Sequence, residues 1–376
     1  MVVERKIKAR LLKNLIPGKV NVVYGARRVG KTFLIKQIAD ELNVNYLWLN
    51  GELPETQEIL EKKNLNEYRN IFAGFEIIII DEAQAINDIG KILKIVVDEL
   101  PHLKIIASGS SAFDLANNLG EPLVGRAFWH EMYPLAQLEI ANSENFFETA
   151  RRKEERLIYG SYPEIYTLEG FEQKEEYLRD LVNSYLLKDI LILDGVRNSS
   201  KIYDLLKLIA FQLGKEVSLN ELGTQLGMSK NTIEKYLDLL EKVFVLKKIP
   251  GFSKNLRKEV TKSSRWFFWD NGIRNAVIND FKSLAFRNDT GELWENYLMM
   301  ERLKKNGYEK NNVETYFWRT YDQQEIDCIE VKNGEIEAYE FKYSSKIAKT
   351  PGGFAHAYPE SSFSTVNKDN YLDFII

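Results

Sequence analysis

Val20-Asn-Val-Val-Tyr24-Gly25-Ala-Arg-Arg-Val-Gly30-Lys31-Thr32 decides the reading of this 376-residue chain. A run with the character of a buried strand enters a turn spaced Gly-x-x-x-x-Gly-Lys-Thr. A helix pattern follows, with Phe33, Ile35 and Ile38 apolar. That spacing between a strand and a helix start is the pattern of a loop that cradles phosphate. Gly25 and Gly30 let backbone N–H groups curl round an anion, and the helix N-terminus adds partial positive charge. Lys31 is placed to reach terminal phosphates, and the Thr32 hydroxyl to ligate Mg²⁺. Arg28, within the turn, is a further candidate contact. A basic turn ahead of a helix is the plain alternative, and the strand and helix on either side argue against it.

The same alternation continues outward. Tyr46-Leu-Trp-Leu-Asn50, Glu76-Ile-Ile-Ile-Ile80 and Lys104-Ile-Ile-Ala-Ser108 read as short buried strands, with a helix over 89–100 and a fifth strand over 127–132. Short apolar strands separated by helices imply a parallel sheet covered on both faces. The third strand runs into Asp81-Glu82-Ala-Gln84. Asp81 can hold the water shell of Mg²⁺, and Glu82 can polarise an attacking water. The next strand ends in Ser108-Gly-Ser110-Ser111, so Ser108 is a candidate for contact with a γ-phosphate or that water.

From Ser143 the pattern turns helical, with helices expected over 144–158 and 171–193 and a break at Gly160-Ser-Tyr-Pro163. Residues 201–246 read as helix, helix, turn, helix and a short strand. Leu219–Leu226 and Lys230–Glu241 are the closely spaced pair, with Gly227-Met-Ser229 as turn and Ser229 as N-cap. Residues 215–265 hold eleven Lys and Arg against six Asp and Glu, in a chain of net charge −4. Positive charge therefore gathers here, and Lys230, Asn231 and Lys235 face outward, where bases or phosphates could be met. Further on, a helix over 292–305 precedes three β-rich runs. Asp327 sits in the second run, and Glu340 and Lys342, two residues apart on one face, in the third.

Composition bounds the rest. Hydrophobic residues make up 44% and charged residues 28%, the balance of a globular chain with a sizeable core. One cysteine, Cys328, excludes an internal disulfide, and three scattered histidines have no metal-ligand spacing. The longest aliphatic run is Ile77 to Ile80, and the first residues carry charge where a signal peptide needs apolar ones, so a cytoplasmic protein without a membrane partner is expected. Net acidity excludes a generic nucleic-acid glue, leaving local patches for any such contact.

The phosphate loop, the strand ending in two acids, the polar tip after the next strand and Leu123-Val-Gly-Arg126 ahead of Tyr133-Pro134 together resemble the AAA+ ATPases. The resemblance is to the prokaryotic group with Arg-Arg in the loop and a conserved C-terminal region. It extends through Gly160-Ser-Tyr-Pro-Glu164, Leu187-Lys-Asp189-Ile190, Gly251-Phe-Ser-Lys-Asn255 and Phe268-Trp-Asp270-Asn-Gly272. It implies ATP and Mg²⁺ as cofactors and Arg126 as a γ-phosphate sensor, in cis or from a neighbouring subunit of a homo-oligomer. It also implies Asn50 as the restraint on Glu82, and Pro163 near the adenine. The close helix pair resembles winged-helix domains, whose second helix enters the DNA major groove. Asp327, Glu340 and Lys342 resemble the PD-(D/E)xK nuclease core, with Glu295 as its accessory acid. In that chemistry Asp327 and Glu340 would bind a second Mg²⁺ or Mn²⁺, and Lys342 would orient water. Residues 291–345 hold seven Lys and Arg against twelve Asp and Glu, a balance that disfavours a DNA groove.

The expected architecture is an α/β chain in four parts. These are a P-loop AAA+ core over 1–142, a helical lid over 143–200, a winged helix over 201–265 and a restriction-endonuclease-like α/β domain over 266–376. The expected activity is ATP hydrolysis coupled to a conformational change acting on DNA. Two alternatives stand beside it: a slow nucleotide switch with an inert nuclease-like interaction module, and an ATP-gated nuclease of defence or repair.

Overall fold

β1 (Lys19–Tyr24), β2 (Tyr46–Asn50), β3 (Ile77–Asp81), β4 (Lys104–Gly109) and β5 (Ala127–Glu131) pair in parallel in the order β2-β3-β4-β1-β5. The structure is a computed structural model that describes residues 3–62, 64–110, 123–186, 199–253, 264–320 and 322–376. Both faces of the sheet are covered, which is why its central strands carry unbroken aliphatic runs. Ile77 to Ile80 are each no more than 1% exposed. Full burial of one such side chain stabilises by about 1.5–3 kcal/mol. The apolar stripe of the helix Ile89–Glu99, with Ile89, Ile92, Leu93 and Val96, covers one face together with Leu60, Tyr68 and Phe72. The expected strands are present, shifted at their ends by a residue or so.

The chain divides into two packed units. One runs through Tyr133 and takes in Lys242–Phe244; the other comprises Pro134–Glu241 and Val245–Ile376. In the second unit, helix Phe146–Tyr159 starts at a capping box in which Asn145 and Glu148 exchange side-chain and backbone hydrogen bonds. Helix Phe171–Asp180 passes into a π-helical turn, Leu181–Leu186. The remainder of the helix expected to Leu193, with Leu187 to Ile190, lies outside the described residues, as do Ser111, Lys254 and Asn255.

Helices Ser199–Phe211, Leu219–Leu226 and Lys230–Lys242 accompany a three-stranded antiparallel sheet. Its strands β6 (Glu216–Val217), β7 (Leu246–Pro250) and β8 (Ser264–Phe268) lie in the order β6-β8-β7. Gly227 ends the first of the close helices at φ 61°, a conformation that glycine adopts without strain, and the Ser229 hydroxyl accepts the Thr232 N–H at the start of the next. The 20-residue helix Thr290–Glu309 precedes β9 (Glu314–Arg319), β10 (Glu325–Lys332) and β11 (Glu335–Lys342), which pair antiparallel. β12 (Ser362–Asn367) adds in parallel to β11, completing the order β12-β11-β10-β9. Trp318, Ile326, Ile329, Ala338, Phe354 and Tyr358 form the core beside this mixed sheet. No helix among the described residues is long and apolar enough to cross a membrane.

Candidate nucleotide site and the C-terminal charge cluster

The parallel order brings the C-terminal ends of β1, β3 and β4 to one edge, and the loop 25–30 leaves β1 there. Two glycines make the loop fit. Gly25 lies at φ 147°, and a Cβ there would stand 2.0 Å from the Met132 carbonyl oxygen. Gly30 is left-handed at φ 95° and is the residue from which helix Lys31–Leu42 starts. Arg28, also at positive φ, stands exposed in the loop. Lys31 is 5% exposed and donates from Nζ to the carbonyls of Gly25 at 3.0 Å and Ala26 at 2.8 Å. Arg5 donates to the carbonyls of Val29 and Tyr133, both at 2.6 Å, tying the loop to the segment after β5.

Beneath the loop runs a chain of side chains. The Thr32 hydroxyl donates to Asp81 Oδ2 at 2.9 Å. The Ser108 hydroxyl donates to Asp81 Oδ1 and accepts the Glu82 N–H at 3.1 Å. Glu82 itself is left-handed, at φ 51°, and its Oε2 accepts from Gln84 Nε2 at 2.6 Å. A hydroxyl and a carboxylate side by side at a helix N-terminus are the oxygen donors that Mg²⁺ takes beside phosphate.

Comparison with known proteins agrees with this geometry. Residues 17–141 match the AAA domain family. Residues 151–284 and 290–372 match two domains of unknown function, DUF8612 and DUF4143. An uncharacterised protein of Haemophilus influenzae is 26% identical over 385 residues, spanning 95% of this chain and 88% of its own. The uncharacterised protein MJ1544 of Methanocaldococcus jannaschii is 25% identical over 369 residues, spanning 87% and 79%. Among solved structures, the Walker-type ATPase PABY2304 of Pyrococcus abyssi is similar in fold, with a TM-score of 0.50 and 16% identity over 74% of this chain and 96% of its own. Residues 17–141 are thus similar to AAA domains in sequence and share the fold of a P-loop ATPase core.

Two residues of this domain lie away from the positions the resemblance implies. Arg126 does not reach its own loop. Its carbonyl accepts the Val20 N–H at the start of β1, so it lies at the opposite edge of the sheet, about 15 Å from the loop. There it is paired with Asp98, at 2.7 Å and 3.1 Å through two nitrogens. Asn50 does not hold Glu82: its Oδ1 accepts the Glu52 N–H at 3.0 Å, and Gln84 is the residue bonded to the carboxylate. The motif Asp81-Glu82-Ala-Gln84 carried that signal, since a side chain two residues on can turn back within a tight turn. Ser108 binds the two acids, and the hydrogen bonds of its hydroxyl are with them.

In the second unit, Asp327 on β10 and Glu340 on β11 stand one position beyond the Cys328–Tyr339 pair of the register. Asp327 Oδ2 accepts the Phe341 N–H at 2.8 Å, while Oδ1 lies 3.7 Å from the Arg265 guanidinium. Lys342 is bonded to Glu340 Oε1 at 2.6 Å, and Glu340 Oε2 is buried without a hydrogen-bond partner among the described residues. Burial and the neighbouring Glu340 push the Asp327 carboxyl up to about 7. Burial and Asp327 hold Glu295 well above the usual carboxylate range. Burial lowers the Lys342 ammonium, but the bond to Glu340 and the surrounding acids outweigh this and leave it raised. Three acids thus face two cations. Among the described residues no three His, Cys, Asp or Glu side chains are grouped to hold a metal ion. Arg265, which is 4% exposed and stacked over Phe317, is a member that spacing alone did not reveal.

Pro163 opens the short helix Pro163–Thr167. The residues before it are committed to a buried polar hub. Asp270 caps helix Asn271–Ile278 by accepting the Gly272 and Ile273 N–H groups, and its other oxygen accepts the Ser161 N–H at 2.7 Å. A Cβ at Gly160 would fall 1.9 Å from Asp270 Oδ1, so only glycine fits. Burial raises the Asp270 carboxyl, against the stabilising pull of Lys304 and the three N–H groups. Asn271, Asn275 and Asn296 satisfy backbone groups of the same hub. The two sequence segments 160–164 and 268–272 therefore meet. Lys230, Asn231 and Lys235 are exposed on the helix Lys230–Lys242, as its apolar face Ile233, Leu237 and Leu240 requires.

Proposed function

We propose that this chain binds and hydrolyses ATP at the loop 25–32 and passes the nucleotide state to its C-terminal unit, which engages DNA. The observation that carries the reading is the hydrogen-bonded chain Thr32–Asp81–Ser108–Glu82 beneath a glycine-hinged loop at a helix N-terminus. Gly25 and Gly30 present backbone N–H groups to the phosphates, with Lys31 and Arg28 beside them. Thr32 and Asp81 would hold Mg²⁺, which would supply charge neutralisation at the phosphate oxygens. Glu82 takes the proton of the attacking water, and Ser108 keeps both acids aligned. Arg126 serves the site of a neighbouring subunit, which makes the working form a homo-oligomer. Pro163 lies near the adenine.

On this reading the parts are the AAA core 1–142, a lid 143–200, a winged helix 201–265 and a nuclease-like domain 266–376. Winged-helix character is supported by the close helix pair followed by the β7–β8 hairpin, and DNA contact by the exposed Lys230, Asn231 and Lys235. The C-terminal domain acts as an interaction module. That reading is favoured by Lys342, whose hydrogen bond to Glu340 Oε1 occupies an acid that a nuclease would leave open for metal. One incubation tests all of this. Purified protein is mixed with ATP, Mg²⁺ or Mn²⁺ and single-stranded, duplex and branched DNA, and phosphate release and strand cleavage are read together. The reading expects ATP turnover that responds to DNA, without cleavage. Absent turnover under every condition would remove it, and metal-dependent cleavage would replace the module with a nuclease.

A further inference from the structure

Gly30 lets the peptide that precedes it face either way. Glycine populates both signs of φ with similar ease, so the loop's own sequence does not fix the direction of the Val29–Gly30 peptide. Val29 is fully buried between two left-handed residues, Arg28 at φ 62° and Gly30 at φ 95°. What holds this peptide is Arg5, just ahead of the helix Ile7–Asn14. One guanidinium nitrogen, Nη1, donates to the Val29 carbonyl and the other, Nη2, to the Tyr133 carbonyl, both at 2.6 Å, and the residue is 6% exposed. A Cβ at Gly30 would stand 3.8 Å from the same Nη1. No peptide is cis among the described residues, and in a trans peptide the carbonyl oxygen and the following N–H point in opposite directions. With the Val29 oxygen turned to Arg5, the Gly30 N–H points away from the guanidinium. The other end of the fork is anchored too. Tyr133 follows Met132, whose N–H donates to the Tyr24 carbonyl at 2.8 Å, just where the loop leaves β1. The planar fork of Arg5 therefore spans the loop from its far side to its root.

We propose that Arg5 is a positioning residue for phosphate binding: by holding the Val29 carbonyl, it turns the Gly30 N–H toward a bound polyphosphate. This rests on the nucleotide reading above. A loop of this kind binds an anion because several backbone N–H groups converge on it. A Val29–Gly30 peptide turned over would present a carbonyl oxygen to the phosphates, replacing an attraction by a repulsion. Gly30 makes that reversal easy, and Arg5 is bonded at that very peptide. Donation to the oxygen also polarises the peptide and strengthens its N–H as a donor. Arg5 acts through the backbone, not on the phosphates themselves. The same N–H serves the ground state and the transition state, so its loss weakens binding more than it slows the chemical step.

Pyrophosphate tests this without the base or the sugar. Affinities for ADP and pyrophosphate are read by displacement of a fluorescent ADP analogue from the full chain, and turnover by phosphate release. Arg5→Met removes both donors and keeps a flexible apolar stem, whereas Arg5→Lys keeps a donor that can reach one carbonyl. Arg5→Met is expected to lose about tenfold or more in affinity for ADP and pyrophosphate alike, and Arg5→Lys about threefold, as fits one weakened hydrogen bond to a charged acceptor. KM for ATP should rise with the loss of affinity while kcat is largely kept. ADP affinity that falls while pyrophosphate affinity holds overturns the proposal, because Arg5 would then serve the base. Pyrophosphate affinity within about twofold of the wild type in Arg5→Met overturns it as well. So does a kcat that falls while KM holds. If Arg5→Met does not fold, Arg5→Lys decides: wild-type pyrophosphate affinity there overturns the proposal. The underlying reading fails separately, through Lys31→Ala binding pyrophosphate as tightly as the wild type, whatever Arg5 does.

Discussion

Two clusters of acids sit on two sheets, and they are held in opposite ways. In the AAA domain, Asp81 is bonded to two hydroxyls and Glu82 to an amide, while Lys31 rests on backbone carbonyls. In the C-terminal domain, Glu340 is bonded to Lys342, and Asp327 lies beside Arg265. The difference decides what each can receive. A hydroxyl hydrogen bond to a carboxylate is worth about 1.5–3 kcal/mol net. The Lys342–Glu340 pair is part-exposed on the lysine side, so it contributes less than a fully buried pair would. The first cluster is open to a cation and a phosphate, whereas in the second Glu340 is engaged by Lys342 while burial holds Asp327 and Glu295 above the usual carboxylate range.

The sharpest way to break the comparison is to remove the open site's own cation. Lys31→Ala takes away the point charge on the terminal phosphates and should reduce ATP affinity by two orders of magnitude or more, to be read by titration with a fluorescent analogue. Glu82→Gln keeps the shape and should bind ATP normally while losing nearly all turnover. Wild-type affinity in Lys31→Ala would leave the loop without a phosphate role. Turnover should fall comparably in Arg126→Ala if that residue completes a neighbour's site. Mixing it with Glu82→Gln should then restore a fraction, because some interfaces receive the intact base from one chain and the intact arginine from the other. An exchanging mixture that recovers nothing would reduce Arg126 to its observed pairing with Asp98.

How much of this was legible beforehand follows from what spacing can encode. The strand, loop and helix from Val20 to Leu42 announce themselves, because each residue type serves a local geometry. Strands β1, β3 and β4 are likewise readable as aliphatic runs, and β2 and β5 as short stretches rich in aromatic residues. Arg126 was visible as a residue but not as a location: which sheet edge it occupies depends on strand direction, which only pairing with β1 reveals. The assignment of Asn50 failed for a related reason, since the turn after β2 claims its side chain. Gln84 was in plain view, yet its bond back to Glu82 needs the left-handed backbone at that residue. In the second unit, the hub joins Ser161 to Asp270 and the charge cluster joins Arg265 to Asp327. Both are tertiary contacts between residues far apart in sequence, and no periodicity carries them.

The surface cations of the second unit offer a milder test. Lys230→Glu combined with Lys235→Glu reverses two exposed charges without touching the apolar face of their helix. DNA affinity should fall by about tenfold or more, and the slope of log affinity against log salt should flatten by about two, one per lost phosphate contact. ATP affinity should be unchanged. Equal DNA affinity in the double reversal would move this helix pair to protein contacts.

The smallest effect bears on the comparison most directly. Asp327 titrates near 7 in the folded protein because burial, followed by Glu340, penalises its charge. Its unfolded value is the ordinary carboxylate one. Between about pH 4 and pH 7 the folded state therefore binds more protons than the unfolded state, and this group's contribution to stability falls as pH rises through that window. It levels off above pH 7. Asp327→Asn removes the titration and keeps an acceptor for the Phe341 N–H. At pH 7.5 the variant should melt a few degrees above the wild type, and at pH 4.5 the gap should narrow or close. Mn²⁺ is expected to leave the C-terminal contribution unmoved, since Lys342 is bonded to Glu340 and no three acids there are grouped to hold a metal ion among the described residues. If Mn²⁺ raises the melting temperature of Lys31→Ala but not of Lys31→Ala/Asp327→Asn, the second cluster is open after all. The contrast between the two sheets would then be one of occupancy by different cations, and the nuclease reading would regain its metal.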